Sequence, residues 1–287
     1  MKIAMDCLSC SVAHMLSQCR MSKADEIQTA KAMDRVLDIV SDYRNIPSPP
    51  LVAERIREAV IAITGNFDPY KEIKERDMAT ARNLMPAMEK MIANAPDPLL
   101  SALKSCAIGN TLDSALIENP DLENTMAMEL ERHFLTPAYD EFVSDLQVAG
   151  SLLLIGDNTG ESIFDTLLLK HLPKGIKKYY AVRSVPVIND VTYQDAVDSG
   201  IDRYAQIIES GSRAPGTPVD RCSKEFRSLF NSCDVVFSKG QGNFETMNEE
   251  KRRIYFLLKA KCQVICREIG CELGTYVLTR TDPGSPR

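Results

Sequence analysis

The chain has 287 residues, 44% of them hydrophobic and 26% charged, with a net charge of −6, enough apolar material for a real core in one large domain or two modest ones. No apolar run approaches the roughly 18 residues of a membrane span and no basic-then-apolar leader is visible, so a cytoplasmic protein that engages no membrane is expected. The negative balance speaks against nonspecific nucleic-acid binding, and nine cysteines, an odd number spread over both halves, fit free thiols in a reducing compartment better than a disulfide framework.

In chain order, the first half reads as helical. Cys7 and Cys10 form a lone Cys-x-x-Cys; His14 and Cys19 are the only nearby residues that would complete a zinc site, at unsuitable spacing. A metal or redox role therefore stands beside the plainer reading of small buried side chains at a helix start. From Ser22 to Tyr43 the residues Ile27, Ala30, Met33, Val36, Leu37 and Val40 share one helix face, with Ser22 as the expected N-cap. Ser48-Pro49-Pro50 opens another helix, a third runs from near Asp68 to Asn94 with a kink expected at Pro86, a fourth opens at Asp97-Pro98, and Glu123 to Leu146 offers one or two more. His133 and His171 sit in amphipathic stretches and form no catalytic arrangement.

After Gly150 short apolar runs alternate with amphipathic ones. Strands are expected at Leu152–Ile155, Lys178–Val182, Tyr204–Ile208, Asp234–Phe237, Cys262–Cys266 and Thr275–Leu278. Helices are expected at Ser162–His171, near Tyr193–Ser199, at Ser223–Asn231 and around Asn248–Lys259. The alternation implies an α/β domain with a mostly parallel, Rossmann-like sheet in three α/β/α layers, here residues 149–287, preceded by a helical N-terminal domain, residues 1–148.

Three strand ends carry related chemistry. The first reads Gly156-Asp157-Asn158-Thr159-Gly160-Glu161, the second Arg183 through Asn189-Asp190, the third Lys239-Gly240-Gln241-Gly242-Asn243-Phe244-Glu245. Ligands in open α/β sheets bind where strands end, so carboxylate and amide oxygens, a cation and glycine backbone would converge. Those are the parts of a metal-assisted phosphoryl-group enzyme: oxygens for a hard divalent ion, glycines for close approach to phosphate, a lysine for its charge. Each piece alone has a plainer reading, Asp157-Asn158 as a turn and Asn189-Asp190 as a helix cap. The glycine loop matches neither a P-loop nor a dinucleotide fingerprint. A fourth strand end, Gly211-Ser212-Arg213-Ala214-Pro215-Gly216-Thr217, reads as a shaped loop beside the same crevice, with Arg213 or Thr217 placed to touch a ligand.

Taken together, these four segments resemble the damage-control phosphatases, the metal-dependent family also labelled domain of unknown function eighty-nine. Cys7-x-x-Cys10, Asp68-Pro69-Tyr70 and Gly109-Asn110 with Asp113 extend the resemblance over nearly the whole chain, and the Lys-Gly-Gln-Gly-Asn string matches one branch of it. The resemblance implies hydrolysis of small phosphorylated metabolites, sugar phosphates or damaged phosphometabolites, with a divalent metal held by Asp157, Asn158 and Asp190. It implies Mg²⁺ or Mn²⁺, with Co²⁺ or Ni²⁺ also compatible. Lys239 would contact phosphate, supported by Gly240, Gly242 and Asn243, while Asn110 and Arg213 would reach the rest of the substrate. Glu161 would either orient the attacking water or favour the helix N-terminus. Direct attack by water is preferred, because the Asp-x-Asp-x-Thr signature of a phosphoaspartyl route is missing. An S-adenosylmethionine-dependent carboxyl methyltransferase and a noncatalytic metal- or metabolite-binding protein are the alternatives.

Overall fold

The computed structural model describes residues 1–109, Met128 and residues 134–281; Asn110, Asp113 and His133 lie outside the described residues. The chain opens with three helices, α1 (Met5–Met21), α2 (Glu26–Ser41) and α3 (Pro49–Thr64). Ser22 ends α1 rather than starting α2. The N-cap of α2 is Asp25, whose carboxylate accepts from Gln28 N while the Gln28 side chain accepts from Asp25 N. That reciprocal pair satisfies two donors where Ser22 would satisfy one. The bundle has its own core, Met15, Cys19, Val36, Val52, Ile56 and Val60 among others, and Ala214 of a distant loop is inserted into it. All nine cysteines are free; Cys7 is half-buried and Cys10 exposed, so the expectation of buried side chains at that helix start is corrected. The first turn of α1 faces a cavity rather than a core.

Next come α4 (Lys71–Asn94, one helix through Pro86), α5 (Pro98–Gly109), β1 (Phe134–Leu135) and α6 (Tyr139–Val148). Strand and helix then alternate: β2 (Ser151–Ile155), α7 (Thr159–His171), β3 (Lys177–Val182), α8 (Tyr193–Asp198), β4 (Gln206–Glu209), α9 (Lys224–Ser232), β5 (Val235–Lys239), α10 (Gln241–Met247), β6 (Tyr255–Lys259), α11 (Gln263–Ile269) and β7 (Tyr276–Arg280). The sheet order is β1-β7-β6-β5-β2-β3-β4, parallel throughout except for β6 against β7. Alternate side chains of each inner strand enter opposite cores. Leu152, Leu154, Tyr180, Val182, Val235 and Phe237 meet α4–α7 on one face. Leu153, Ile155, Ala181, Val236 and Phe256 meet α9–α11 on the other. This is the period-2 pattern of strands buried on both sides, and it yields the three layers expected.

One stretch is exchanged. Cys262–Cys266, expected as a strand, lies in α11, and the stretch ending at Lys259, expected as a helix, contains β6. Ile254-Tyr255-Phe256-Leu257-Leu258 is a continuous apolar run, buried throughout, and such short runs carry no periodicity that separates helix from strand.

Candidate active site

The chain runs from β2 outward through β3 to β4, then returns to β5 on the opposite side of β2. Asp157, just beyond β2, and Gly240, just beyond β5, therefore meet at the switch point, where open α/β sheets place ligands. Gly240 has φ +83°, and a methyl group added to it would overlap the Asp157 carboxylate; only glycine permits both the left-handed backbone and the close approach. Gly242 is constrained by close approach alone, against the Pro215 carbonyl.

Two loop segments zip together at this point. Val191 N donates to Asp157 O and Thr159 N to Asn189 O, both at 2.8 Å, and Asn158 bridges Asp190 in antiparallel fashion. Asp157, Asn158 and Asp190 are thereby side by side, Asp157 half-exposed and the other two buried. Asn158 Nδ2 donates to Glu161 Oε1 at 2.8 Å, which leaves its amide oxygen for a cation. Burial, opposed by Arg183 and reinforced by the Asp157 charge, pushes Asp190 up to about 7. Burial, opposed by Lys239 and reinforced by Asp157 and Asp165, pushes Glu161 up to about 8. A divalent cation would relieve this mutual repulsion, so the donor set fits one. Among the described residues no three or more His, Cys, Asp or Glu side chains are arranged to hold a metal ion; the set depends on the Asn158 oxygen, and the Cys7–Cys10 segment supplies no second site.

Lys239 is 1% exposed. Its ammonium donates to Asp165 Oδ1 at 2.6 Å and to the Cys106 carbonyl at 3.2 Å and pairs with Glu161 Oε2 at 2.7 Å. Burial pulls its pKa down, but the Asp165 and Glu161 carboxylates more than reverse this, so it stays charged. All three donors of the ammonium are engaged inside the protein. Tyr180 donates to the other Asp165 oxygen at 2.7 Å. Asp165 carries a signal in the sequence: an acid within the apolar run Ile163-Phe164-Asp165-Thr166-Leu167, four residues after Glu161 and so on the same helix face.

Arg183, quoted in the second strand-end segment but given no role, is the other hub. Its Nε donates to Asp190 Oδ2 at 2.7 Å, Nη1 to Thr217 Oγ1 at 2.7 Å and Nη2 to Asn243 Oδ1 at 2.9 Å. Asn243 also accepts from Thr217 and donates to the carbonyls of Gly156 and Lys239. Its amide thus joins the ends of β2, β3, β5 and the loop after β4, and the Gly240 N–H is spent on Leu257 O at 2.9 Å. Thr217 is buried in this network. Arg213 is over half exposed, 3.9 Å from Glu58 of α3, and the structure does not bring it to the Asp157 cluster. From the helical layer, Lys74 of α4 sits 3.4 Å from Asp195, whose same oxygen accepts from Thr159.

The family model for the damage-control phosphatase ARMT1-like domain matches residues 3–277. A damage-control phosphatase of Pyrococcus horikoshii is 31% identical, over 98% of both chains, and one of Archaeoglobus fulgidus is 30% identical, over 96% of this chain and 98% of that one. The crystal structure of a DUF89 family protein from Pyrococcus horikoshii superposes with a TM-score of 0.89 at 30% identity, covering 98% of this chain and 100% of its own. Matched over nearly its whole length, the chain belongs to the damage-control phosphatase ARMT1-like family and is a phosphatase.

Proposed function

We propose that the chain hydrolyses small phosphate monoesters with the help of a divalent cation of the Mg²⁺ or Mn²⁺ kind held by Asp157, Asn158 and Asp190. The observation that carries this reading is the zipped pair of loops at the switch point, which aligns three hard oxygen donors beside a glycine turn. The ion would polarise a phosphoryl oxygen and lower the pKa of a bound water. The protein's own groups do the rest. Glu161 fixes the Asn158 amide through its Nδ2, and with its carboxyl near 8 it can hold or accept a proton close to neutral pH. Lys239 keeps Glu161 and Asp165 in place; a phosphate oxygen would reach it only by displacing one of those partners. Arg183 orients Asp190. The phosphate itself approaches the Gly240–Asn243 turn. Sugar phosphates and surplus phosphometabolites are the substrate class that the family resemblance implies.

The family assignment favours hydrolysis over methyl transfer or binding without turnover. The test is hydrolysis of p-nitrophenyl phosphate and a phosphate-ester panel by protein stripped with EDTA, then titrated with Mg²⁺ and Mn²⁺. Activity should vanish on stripping and return with metal. Asp157→Ala and Asp190→Ala should each lower kcat roughly a thousandfold, several kcal/mol of lost charge stabilisation, with an unchanged circular dichroism spectrum. Normal turnover in either variant overturns the ligand assignment.

A further inference from the structure

Arg57, in the middle of α3, is 5% exposed, yet neither of its terminal guanidinium nitrogens has a hydrogen-bond partner. Glu58, Glu54 and Asp68 act on it through space, but buried donors left without hydrogen bonds are costly, so a protein that keeps them has a reason. Nor is the arginine alone. Of nine buried side-chain polar atoms without a partner among the described residues, four surround one small cleft: Ser22 Oγ, Arg57 Nη1 and Nη2, and Asp68 Oδ1. Asp68 spends its other oxygen on Lys74 at 3.2 Å, and no salt bridge joins it to Arg57. The guanidinium lies 5.6 Å from the Phe67 ring. That contact supports the plane of the guanidinium and leaves its edge donors free.

The opposite wall of the cleft is Pro186 and Ile188, on the loop that carries Asn189 and Asp190. Ile188 holds φ +49°, a conformation that costs a β-branched residue energy, so the wall is shaped at some expense. The free volume is about 10 Å³, room for one oxygen-sized group. Arg57 offers donors on one side, Asp68 an acceptor on the other, with Lys74 linking Asp68 to Asp195 and Thr159.

We infer that this cleft is a second anion subsite, taking one oxygen of a carboxylate or phosphate on Arg57 while Lys74 meets the charge of Asp68, and that it recognises the end of the substrate remote from the phosphate being hydrolysed. The inference rests on the phosphatase reading for its biology but not for its chemistry. The preferred substrates are then phosphorylated hydroxy acids or sugar bisphosphates rather than esters of simple alcohols.

Two measurements on the full chain test it. In EDTA, glycolate, malonate or inorganic phosphate should raise the Tm of the wild type and leave that of Arg57→Met unmoved. Without added anion, Arg57→Met itself should melt about 2–4 °C higher, because an apolar group replaces buried donors that make no hydrogen bonds. In turnover with metal, Arg57→Met should raise KM for phosphoglycolate or a hexose bisphosphate at least about tenfold more than for p-nitrophenyl phosphate. Arg57→Lys, which keeps the charge without the fork, should recover part of that loss. Comparing the two charged substrates tells carboxylate from phosphate. Equal loss on every ester, or no anion-dependent shift in the wild type, overturns the subsite. A wild type that binds glycolate through Arg57 but hydrolyses nothing overturns the phosphatase mechanism and leaves the subsite standing.

Discussion

Lys239 is where residue-level chemistry departs most from what its position suggests. A lysine at a strand end before a glycine turn invites a phosphate, yet its three donors meet Asp165, Glu161 and the Cys106 carbonyl. Removing one member of a buried charge set leaves the others uncompensated, so Lys239→Met should cost about 3–5 kcal/mol of stability in chemical denaturation. Tyr180→Phe, which deletes a single bond to Asp165, should cost only about 1–2 kcal/mol. A Lys239→Met protein of unchanged stability but raised KM would instead mark the lysine as a substrate contact. The strand-end position of Lys239 is legible in the sequence because apolar runs stop there. Its partners are not, since Asp165 is brought to it by the packing of α7 against α5 and β5, which no local pattern encodes.

At the level of elements, β2, β3 and β5 are legible because each is a short apolar run closed by polar or glycine residues, and alternate residues face two cores. Where the run is apolar but its flanks are ambiguous, as at β6 and α11, pattern reading exchanges strand for helix. The two-residue β1 has no pattern to read at all. Helix α10 adds a measurable consequence. Its Glu245 is nearly buried, and burial, only partly offset by the Gln241 amide at 2.8 Å, pushes its carboxyl up to about 7. The native state therefore binds a proton that the unfolded chain has already released. Between roughly pH 4.5 and 7 that proton favours the native state less and less, and stability falls as pH rises. Asp190 and Glu161 add to the same slope, so Glu245→Gln should make it shallower and raise stability at pH 8 by up to about 3 kcal/mol, measured as denaturation midpoints across pH. A variant with the wild-type slope would show that another group controls it.

On the scale of the whole molecule, the helical half is not one body of contacts. Helices α4–α6 share the core under the sheet, whereas α1–α3 close on themselves and grip the rest of the chain partly through Ala214. Native-state hydrogen exchange should show the amides of α1–α3 opening together at a lower free energy than those of β2, β3 and β5. A single common opening energy would contradict that division. Among the described residues no helix is long and apolar enough to cross a membrane. The sequence conveys the layers through periodicity, but not that the first three helices form a separate cluster, because their apolar faces are the same kind of residues as those of α4 and α5.

The Asn243 amide bears on how such a protein diverges. With both its hydrogens and its oxygen committed to four different strand-end segments, no one of those loops can be remodelled without unsettling the others. A change of ester would meet fewer such constraints at α1 and α3, where Gln18 and Arg57 line the second cleft. Over evolutionary time the reacting end should stay fixed while the helical wall drifts.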